Sequence, residues 1–374
     1  MSKIEKMIKR LCPNGVERVR LDSLLDYEQP TRYIVNSTEY DSKHSIPVLT
    51  AGQSFILGYT NEEDGIYKAS PQNPTIIFDD FTTGFHWVDF DFKVKSSAMK
   101  MLKLIESKKE NNFRYIYMAM KTIDYIPTNH TRHWISIYSK FEIPLPPLTI
   151  QREIVSVLDS FTTLIDKMKQ EVELRKKQME YYREKLLLFD EHEAGFVKIK
   201  DLFDTKNGYT PSTKNPDFWT DKGIPWVKME DIRENGTVLS DSAKHITMSA
   251  IKGSKLFNAN SIILATSATI GIHALVKVPH LSNQRFTNIY PKKEYENKID
   301  MKYAYYYFFK IDRWCKEHVT LGNFAGVNMS DFYDYDFPVP PISTQRSIVS
   351  TLDAFEQYIS KLERLITLSE KQYA

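Results

Sequence analysis

The chain has very few cysteines. Its 374 residues include only Cys12 and Cys315, which argues against a disulfide framework and against a zinc cluster and fits a reducing cytoplasm. Long hydrophobic runs are also missing. The uncharged stretch 261–276 contains Ser, Thr, Gly and His and predicts a strand and a turn, not a membrane span. The first 15 residues lack an apolar core segment, so we expect no signal peptide and a cytoplasmic location.

An excess of charge of one sign is missing too. Lys and Arg total 50 and Asp and Glu total 48, which gives a net charge of +2. Neither 12–148 nor 196–341 is strongly basic. Charge alone therefore does not indicate nucleic-acid binding, and any such function has to rest on local patches.

Two motifs of catalysis are absent. There is no phosphate-binding loop of the form GxxxxGK[ST], so ATP chemistry is not expected. A base-flipping methyltransferase needs Asn or Asp before Pro-Pro-aromatic, but Pro146-Pro147 follows Leu-Pro and Pro340-Pro341 follows Val-Pro. We predict that this chain is not an enzyme and has no cofactor of its own.

Three weaker motifs have ordinary interpretations. His130 and His133 have metal-ligand spacing without a third ligand nearby, so a polar loop facing a ligand such as phosphate is the better interpretation, and no metal is expected. Asp79-Asp80 is more typical of a cap on a turn before Gly84 than of half a carboxylate site. The aromatic run 305–309 suits a stacking platform, but on a helix it favours core packing.

The sequence does contain a long repeat. Residues 144–161 read PLPPLTIQREIVSVLDSF and residues 338–355 read PVPPISTQRSIVSTLDAF, with eleven of eighteen positions identical. Each copy predicts that a strand stops at the proline pair and a helix begins, with Thr149 and Ser343 as candidate N-caps.

Apolar residues follow each repeat with 4-3 spacing, which is typical of a coiled coil. In the first copy only Arg175 interrupts the pattern. The predicted seam consists of Ile154, Leu158, Phe161, Ile165, Met168, Val172, Met179, Tyr182, Leu186 and Phe189, and of Ile348, Leu352, Phe355, Ile359, Leu362, Ile366 and Tyr373.

The sequence pattern of each half is typical of a mixed α/β unit. We therefore predict two similar globular domains separated by two long antiparallel coiled-coil helices. Ser2 and Glu5 form a candidate capping box for a short helix that stops at Pro13. Joined head to tail, the chain would form a pseudo-two-fold circular repeat, with that helix completing the distal end of the second arm. The predicted divisions are 1–15 for the short helix, 16–147 for domain 1, 148–194 for the central arm, 195–341 for domain 2 and 342–374 for the C-terminal arm.

The two P-x-P-P-[LI]-x₂-Q-R-x-I-V-x₂-L-D blocks with heptad tails resemble the specificity (S) subunits of type I restriction–modification systems, over essentially the whole chain. The resemblance implies two target-recognition domains that each read half of a split sequence in double-stranded DNA. It also implies helical arms that set the spacing and dock two methyltransferase (modification) subunits, with restriction subunits in complexes that cut DNA. S-adenosylmethionine, ATP and Mg would belong to those partners.

DNA-contact candidates follow from the chemistry of phosphates and base edges, which bind cations, amides and hydroxyls. The candidates in the two halves are Lys43, Gln53, Thr82, Thr83, His86, Asn129, Arg132 and His133, and Lys206, Tyr209, Lys214, Lys228, Thr266, Ser267, Asn283, Gln284 and Arg285. The turns 81–84 and 266–271 are favoured because they recur in both halves. The docking candidates on the arms are Gln151, Arg152, Leu158, Phe161, Gln345, Arg346, Leu352 and Phe355.

Two other interpretations stay open from the residues alone. A coiled-coil assembly scaffold without a DNA role suits the near-neutral charge. A silent allele that serves as a recombination reservoir would have the same sequence features. The target bases and the spacer length are not encoded in any motif.

Overall fold

The computed structural model describes residues 2–52, 54–128, 131–253, 256–320 and 325–373. The chain divides into two compact units, one of residues 1–166 with 373–374 and one of residues 167–372. In the described part of the chain, no helix has both the length and the hydrophobicity of a membrane span.

Among its described residues, the first unit combines short strands with three helices. In chain order its elements are α1 Lys3–Leu11, β1 Arg18–Arg20, β2 Leu25–Glu28, β3 Ile46–Leu49, β4 Ile56–Thr60, β5 Thr75–Asp79, β6 Phe85–Val88, β7 Lys93–Val94, β8 Met99–Leu104, α2 Phe113–Met120, β9 Glu142–Pro144 and α3 Leu148–Leu186. The helix α3 continues into the second unit and links the two.

The second unit also combines short strands with helices. They are β10 Gly195–Lys198, α4 Ile199–Leu202, β11 Phe203–Asn207, β12 Trp219–Thr220, β13 Ile224–Val227, α5 Met229–Asn235, β14 Val238–Leu239, β15 His245–Ile246, β16 Ser261–Ala265, β17 His273–Val276, β18 Leu281–Ser282, β19 Phe286–Pro291, α6 Met301–Glu317, β20 Val319–Thr320, β21 Gly326–Val327, α7 Met329–Tyr333, β22 Asp336–Val339 and α8 Ile342–Tyr373.

Both units are built on one topology. The main sheet has the order β2-β8-β5-β6 in the first unit and β11-β19-β16-β17 in the second, where β14 is added at the edge. Each unit also has a smaller sheet, in which one strand has an antiparallel and a parallel neighbour. The strand β3 pairs with β4 (antiparallel) and β7 (parallel), and β13 pairs with β15 (antiparallel) and β18 (parallel). An entry strand pairs with the exit strand as β1-β9 and β10-β22. This finding confirms the predicted mixed α/β repeat.

The cores contain the aromatic helices. The first core includes Tyr115 and Ile116 of α2, packed with Trp134 and Phe78. In the second core Tyr303 to Phe308 of α6 are all buried, so the prediction that this aromatic run is core and not a stacking platform is confirmed.

Within the second unit, α8 packs antiparallel to residues 167–186 of α3. Lys169 pairs with Glu370 at 2.8 Å, and Lys176 pairs with Glu363 at 2.9 Å. Tyr182 stacks on Phe355 with ring centroids 5.6 Å apart. Partner numbers fall as the α3 numbers rise, which defines the antiparallel direction of the predicted coiled coil.

Most seam positions are buried or half-buried, as the heptad pattern predicts. Val172, Ile359 and Ile366 are buried. Arg175, which interrupts the pattern, holds Glu171 at 2.8 Å and lies over the ring of Tyr358. Phe161 is the exception in the first half of α3, because 44% of its surface is exposed.

The helix starts differ from the prediction. The helices α3 and α8 begin at Leu148 and Ile342, so Thr149 and Ser343 lie inside the first turn and are not N-caps. The Pro147 carbonyl already accepts from the Ile150 N–H at 2.8 Å, which makes the proline the residue before the helix. The predicted capping box of Ser2 and Glu5 on α1 is confirmed by both of its hydrogen bonds.

The described residues also form seven short 3₁₀ turns. They are Leu21–Ser23, Pro30–Tyr33, Glu106–Lys108, Tyr138–Lys140, Pro216–Phe218, Met248–Ala250 and Lys293–Tyr295.

Candidate DNA-reading surfaces and helical arms

The repeated glutamine joins each arm helix to its own domain. Gln151 accepts from the Asn112 N–H at 2.9 Å, at the start of α2, and donates to the Pro146 carbonyl at 2.8 Å. Gln345 accepts from the Asp300 N–H at 2.8 Å, at the start of α6, and donates to the Pro340 carbonyl at 2.8 Å. Both glutamines are almost fully buried.

The repeated aspartate adds an ion pair at the same junction. Asp159 pairs with Arg114 at 3.1 Å in the first unit, and Asp353 pairs with Lys302 at 2.9 Å in the second. The cation follows the helix N-cap by two residues in both cases. The repeat therefore encodes a rigid attachment of each helix to its own domain.

Loops of the second unit meet at one end of its main sheet. The end of β11 pairs with the start of β19 through Asn207 and Thr287, and the end of β16 reaches the same point through Ala265 and Phe286. The segments that follow or precede these ends form one surface. We call residues 206–210, 226–228, 266–271 and 282–286 the second loop surface.

A close approach of two backbones holds this surface together. The Gly208 N–H donates to the Phe286 carbonyl at 3.1 Å, and the Tyr209 N–H donates to the Ser282 carbonyl at 2.9 Å. A Cβ atom on residue 208 would lie 2.1 Å from the Ser282 oxygen. Only glycine fits between these segments.

A buried polar network lies beneath the loops. The Asn288 amide donates to the Ser282 hydroxyl at 2.7 Å and to the Lys206 carbonyl at 3.1 Å. Its oxygen lies 3.1 Å from Nε2 of His280. Burial lowers the pKa of His280 to about 4, so this histidine is neutral at pH 7.

The structure brings most second-half candidates to this surface. Exposed or half-exposed members are Lys206, Tyr209, Lys228, Thr266, Ser267, Asn283, Gln284 and Arg285. Tyr209 is also structural, because its hydroxyl accepts from the Lys252 N–H at 2.7 Å. Lys214 is exposed but, among the described residues, no hydrogen bond or ion pair ties it to these loops.

The first unit presents a corresponding turn between β5 and β6. The Asp79 carboxylate accepts from the N–H groups of Phe81 at 2.9 Å and Thr82 at 2.8 Å, which confirms the predicted turn cap. Thr83 has a φ of 58°, which is strained for a β-branched residue. A Cβ atom at Gly84 would lie 2.4 Å from the Ala51 carbonyl oxygen.

Neighbouring segments pack against this turn. Nε2 of His86 lies 3.1 Å from the Gly52 carbonyl, and its ring lies 4.6 Å from that of Phe55. We call residues 50–52, 54–55, 79–86 and 131–136 the first loop surface. Thr82 and Arg132 are exposed on it, whereas Thr83 is buried.

A buried ion pair anchors the first loop surface. Asp80 lies 3.1 Å from the Lys100 ammonium, with both side chains almost fully buried, and it accepts from the Trp134 N–H at 2.8 Å. The Lys100 ammonium also lies 4.5 Å from the ring centre of Tyr27. A carboxylate that is paired and hydrogen-bonded in this way is structural.

Several first-half predictions need correction. His133 does not face a ligand, because it is fully buried with Nδ1 at 3.0 Å from the Tyr125 hydroxyl. Lys43 is exposed before β3, and no described hydrogen bond or ion pair of its side chain ties it to the turn. Gln53, Asn129 and His130 lie outside the described residues.

The docking candidates on the arms separate into buried and exposed groups. Gln151, Gln345 and Leu352 are buried within their own units, so they provide no open docking face. Leu158 is half-buried against the first core. Phe355 is half-buried against Tyr182. Arg152, Phe161 and Arg346 are exposed.

Sequence reasoning missed the Lys100–Asp80 pair and the contact between Thr210 and Gln284, at 2.6 Å. The first has a weak signal, a lysine inside an apolar strand. The second joins residues 74 positions apart, and no spacing rule connects them.

Comparison with known proteins gives the class of the chain. The type I restriction modification DNA specificity domain matches residues 13–174 and 191–370. The specificity subunit of the type I restriction enzyme EcoR124I/EcoR124II from Escherichia coli is 39% identical over 396 residues, covering 100% of this chain and 96% of the relative. The EcoprrI specificity subunit from Escherichia coli is 43% identical over 181 residues, covering 46% of this chain and 45% of the relative.

Solved structures share the fold. The S subunit of a type I restriction–modification system from M. genitalium superposes with a TM-score of 0.55 at 14% identity, covering 96% of this chain and 95% of that one. A chain from a study of complex assembly and conformational transition of the type I system has a TM-score of 0.60 at 16% identity, with the same coverage.

The chain belongs to the family of type I restriction–modification DNA specificity proteins. It is a specificity subunit with two DNA-recognition domains, and the catalytic activities of the system reside in other subunits.

Proposed function

We propose that the first and second loop surfaces each read one half of a bipartite target in double-stranded DNA. The observation that carries this proposal is the repeated topology, which presents two different sets of polar loops on one scaffold. Residues 16–147 and 195–341 are the two target-recognition domains in this proposal. Thr82, His86 and Arg132 are the contact candidates of the first domain.

Local charge supports the assignment of the second loop surface. Lys206 and Arg285 are exposed there, and the half-exposed Lys228 lies in the same loops. Cations suit phosphates, and the hydroxyls and amides beside them suit base edges. Near-neutral net charge is compatible with this arrangement because only the local patch meets DNA.

We assign the exposed apolar residues of the helices to subunit docking. Leu164 on α3 and Tyr358 on α8 occupy equivalent positions of the repeat and are 51% and 45% exposed. Two equivalent positions imply two docked modification subunits, with restriction subunits joining complexes that cleave. S-adenosylmethionine, ATP and Mg are cofactors of those partners, and the complex acts on DNA in the cytoplasm.

Salt-dependent DNA binding tests the proposal. The complex with its modification subunits is titrated with duplex DNA at several salt concentrations. We expect Lys206→Gln and Arg285→Gln each to weaken binding and to reduce the salt dependence by about one counterion. Lys361→Gln, an exposed change on α8, is the control. An affinity for DNA that changes neither with salt concentration nor in the two variants would support an assembly scaffold instead.

The helices also act as a ruler in this proposal. Insertion of whole heptads into 163–180 is expected to lengthen the unread spacer and to leave both half-sites unchanged, because the loop surfaces are untouched. Sequencing of methylated DNA from cells with the insertion measures both properties. Altered half-sites with an unchanged spacer would refute the ruler.

A further inference from the structure

The loop between β18 and β19 is held from several sides. The Asn283 N–H donates to the Val227 carbonyl at 3.0 Å, and the Thr266 N–H donates to the Arg285 carbonyl at 3.2 Å. The third bond comes from the Tyr209 N–H, which donates to the Ser282 carbonyl just before the loop. The backbone at residues 283–285 is therefore positioned by three separate segments before any DNA arrives.

The polar side chains on this loop have different tasks. The Asn283 side-chain oxygen accepts from the Arg285 N–H at 3.0 Å, so Asn283 shapes the loop. Gln284 and Arg285 are exposed. The Asn283 side chain is half-buried and its oxygen is held by the neighbouring backbone, whereas Gln284 is exposed, so Gln284 is the amide better placed to meet a base.

Thr210 constrains that amide. Its hydroxyl donates to the Gln284 side-chain oxygen at 2.6 Å. Thr210 is itself fixed, because the preceding Gly208 and Tyr209 are bonded to β19 and to Ser282. A free glutamine loses side-chain entropy when it binds, and a glutamine already held by a neighbour loses less.

The held amide keeps the groups that adenine needs. Thr210 uses one lone pair of the oxygen, and within the part of the chain that the structure describes the second lone pair and the NH₂ group remain available. In the major groove, adenine offers the N6 donor and the N7 acceptor, and glutamine matches both. Guanine offers two acceptors, which leaves the glutamine oxygen without a donor.

We propose that Gln284, positioned by Thr210, reads an adenine in the half-site of the second domain. Thr210 is a positioning residue, since it acts through Gln284. This inference rests on the proposed function and narrows it to one side chain and one base. The neighbouring Arg285 provides the cation that strengthens the contact electrostatically.

The test uses the complete complex with modification subunits and sequences the methylated sites in host DNA. Gln284→Ala is expected to lower the preference for adenine at one position of one half-site by about tenfold or more, as for loss of a bidentate contact. Thr210→Val should relax the same position, and Thr210→Ser should restore it because serine keeps the hydroxyl. Thr213→Val, an exposed change in the same segment, is the matched control.

The possible outcomes distinguish a failure of the proposed function from a failure of this inference alone. If the unaltered complex methylates DNA without sequence preference, the proposed function fails and this inference with it. If the unaltered complex is specific but Gln284→Ala and Thr210→Val keep its target, only this inference is overturned. Relaxation at a base pair without adenine would also overturn it. Thermal unfolding of each variant shows that it is folded.

Discussion

Gln345 accepts a hydrogen bond from the backbone N–H of Asp300 at 2.8 Å, and the contact joins the start of α8 to the start of α6. Gln151 and Asn112 repeat the contact in the first unit at 2.9 Å. The most recognisable residues of the repeat are thus turned inward. Their function is to fix the direction in which each helix leaves its own domain.

Replacing this glutamine is expected to destabilise the second unit. Gln345→Ala leaves the Asp300 N–H and the Pro340 carbonyl buried without partners, which costs about 1–3 kcal/mol in the free energy of unfolding. Urea denaturation measures the change, and Gln357→Ala on the exposed face of α8 is the control. Equal stability of the two variants would show that the junction is not important for folding.

The buried pair of the first loop surface gives a sharper stability prediction. Lys100→Met leaves the buried Asp80 carboxylate without its cation, which is expected to lower the free energy of unfolding by about 3–5 kcal/mol. The double variant Asp80→Asn with Lys100→Met should recover most of this loss, because the asparagine oxygen still accepts from Trp134. Thermal unfolding of the single and double variants measures the loss and the recovery. A double variant as unstable as Lys100→Met would contradict an electrostatic cause.

His280 predicts a pH dependence of the second unit. Its folded pKa of about 4 lies below its ordinary value of 6.5, because burial opposes the charged ring. Between those values the unfolded chain binds more protons than the folded one, so stability falls as pH falls. The loss from this residue between pH 7.5 and pH 5 is about 2 kcal/mol. His280→Gln removes the titration, and the difference in unfolding free energy between the two proteins should shrink or reverse toward pH 5. A constant difference across this range would exclude the effect.

Subunit docking is best tested at exposed positions. Leu164→Glu and Tyr358→Glu place charge on the proposed docking face without entering a core, and each is expected to remove a modification subunit from the complex. The stoichiometry is measured by light scattering after gel filtration. Lys361→Glu is the control for added negative charge. If both variants still form intact complexes, the modification subunits do not dock at these positions. Leu352→Asp would not discriminate, since Leu352 is fully buried.

The fold was largely predictable because its signals are periodic or repeated. Heptad spacing indicates the helices that hold Val172 and Ile359, and the doubled motif indicates two like units. The N-caps were wrong because a proline before a helix supplies the first carbonyl itself, which leaves Thr149 and Ser343 inside the turn.

The candidate surfaces were predictable only in part. Polar residues in predicted loops indicate which segments offer contact candidates, and Gln284 and Arg285 are candidates for this reason. Side-chain direction is set by contacts between distant segments, so neither the burial of His133 nor the bond from Thr210 follows from local sequence. Gln151 looked like a docking residue because a motif carries no information about which way its side chains face.

The most direct measurement is single-molecule sequencing of methylated adenines in cells that express this chain with its modification subunits. Two reading domains predict two short specified segments with an unspecified spacer of constant length between them. A single uninterrupted recognition sequence, or methylation without any sequence preference, would contradict the account.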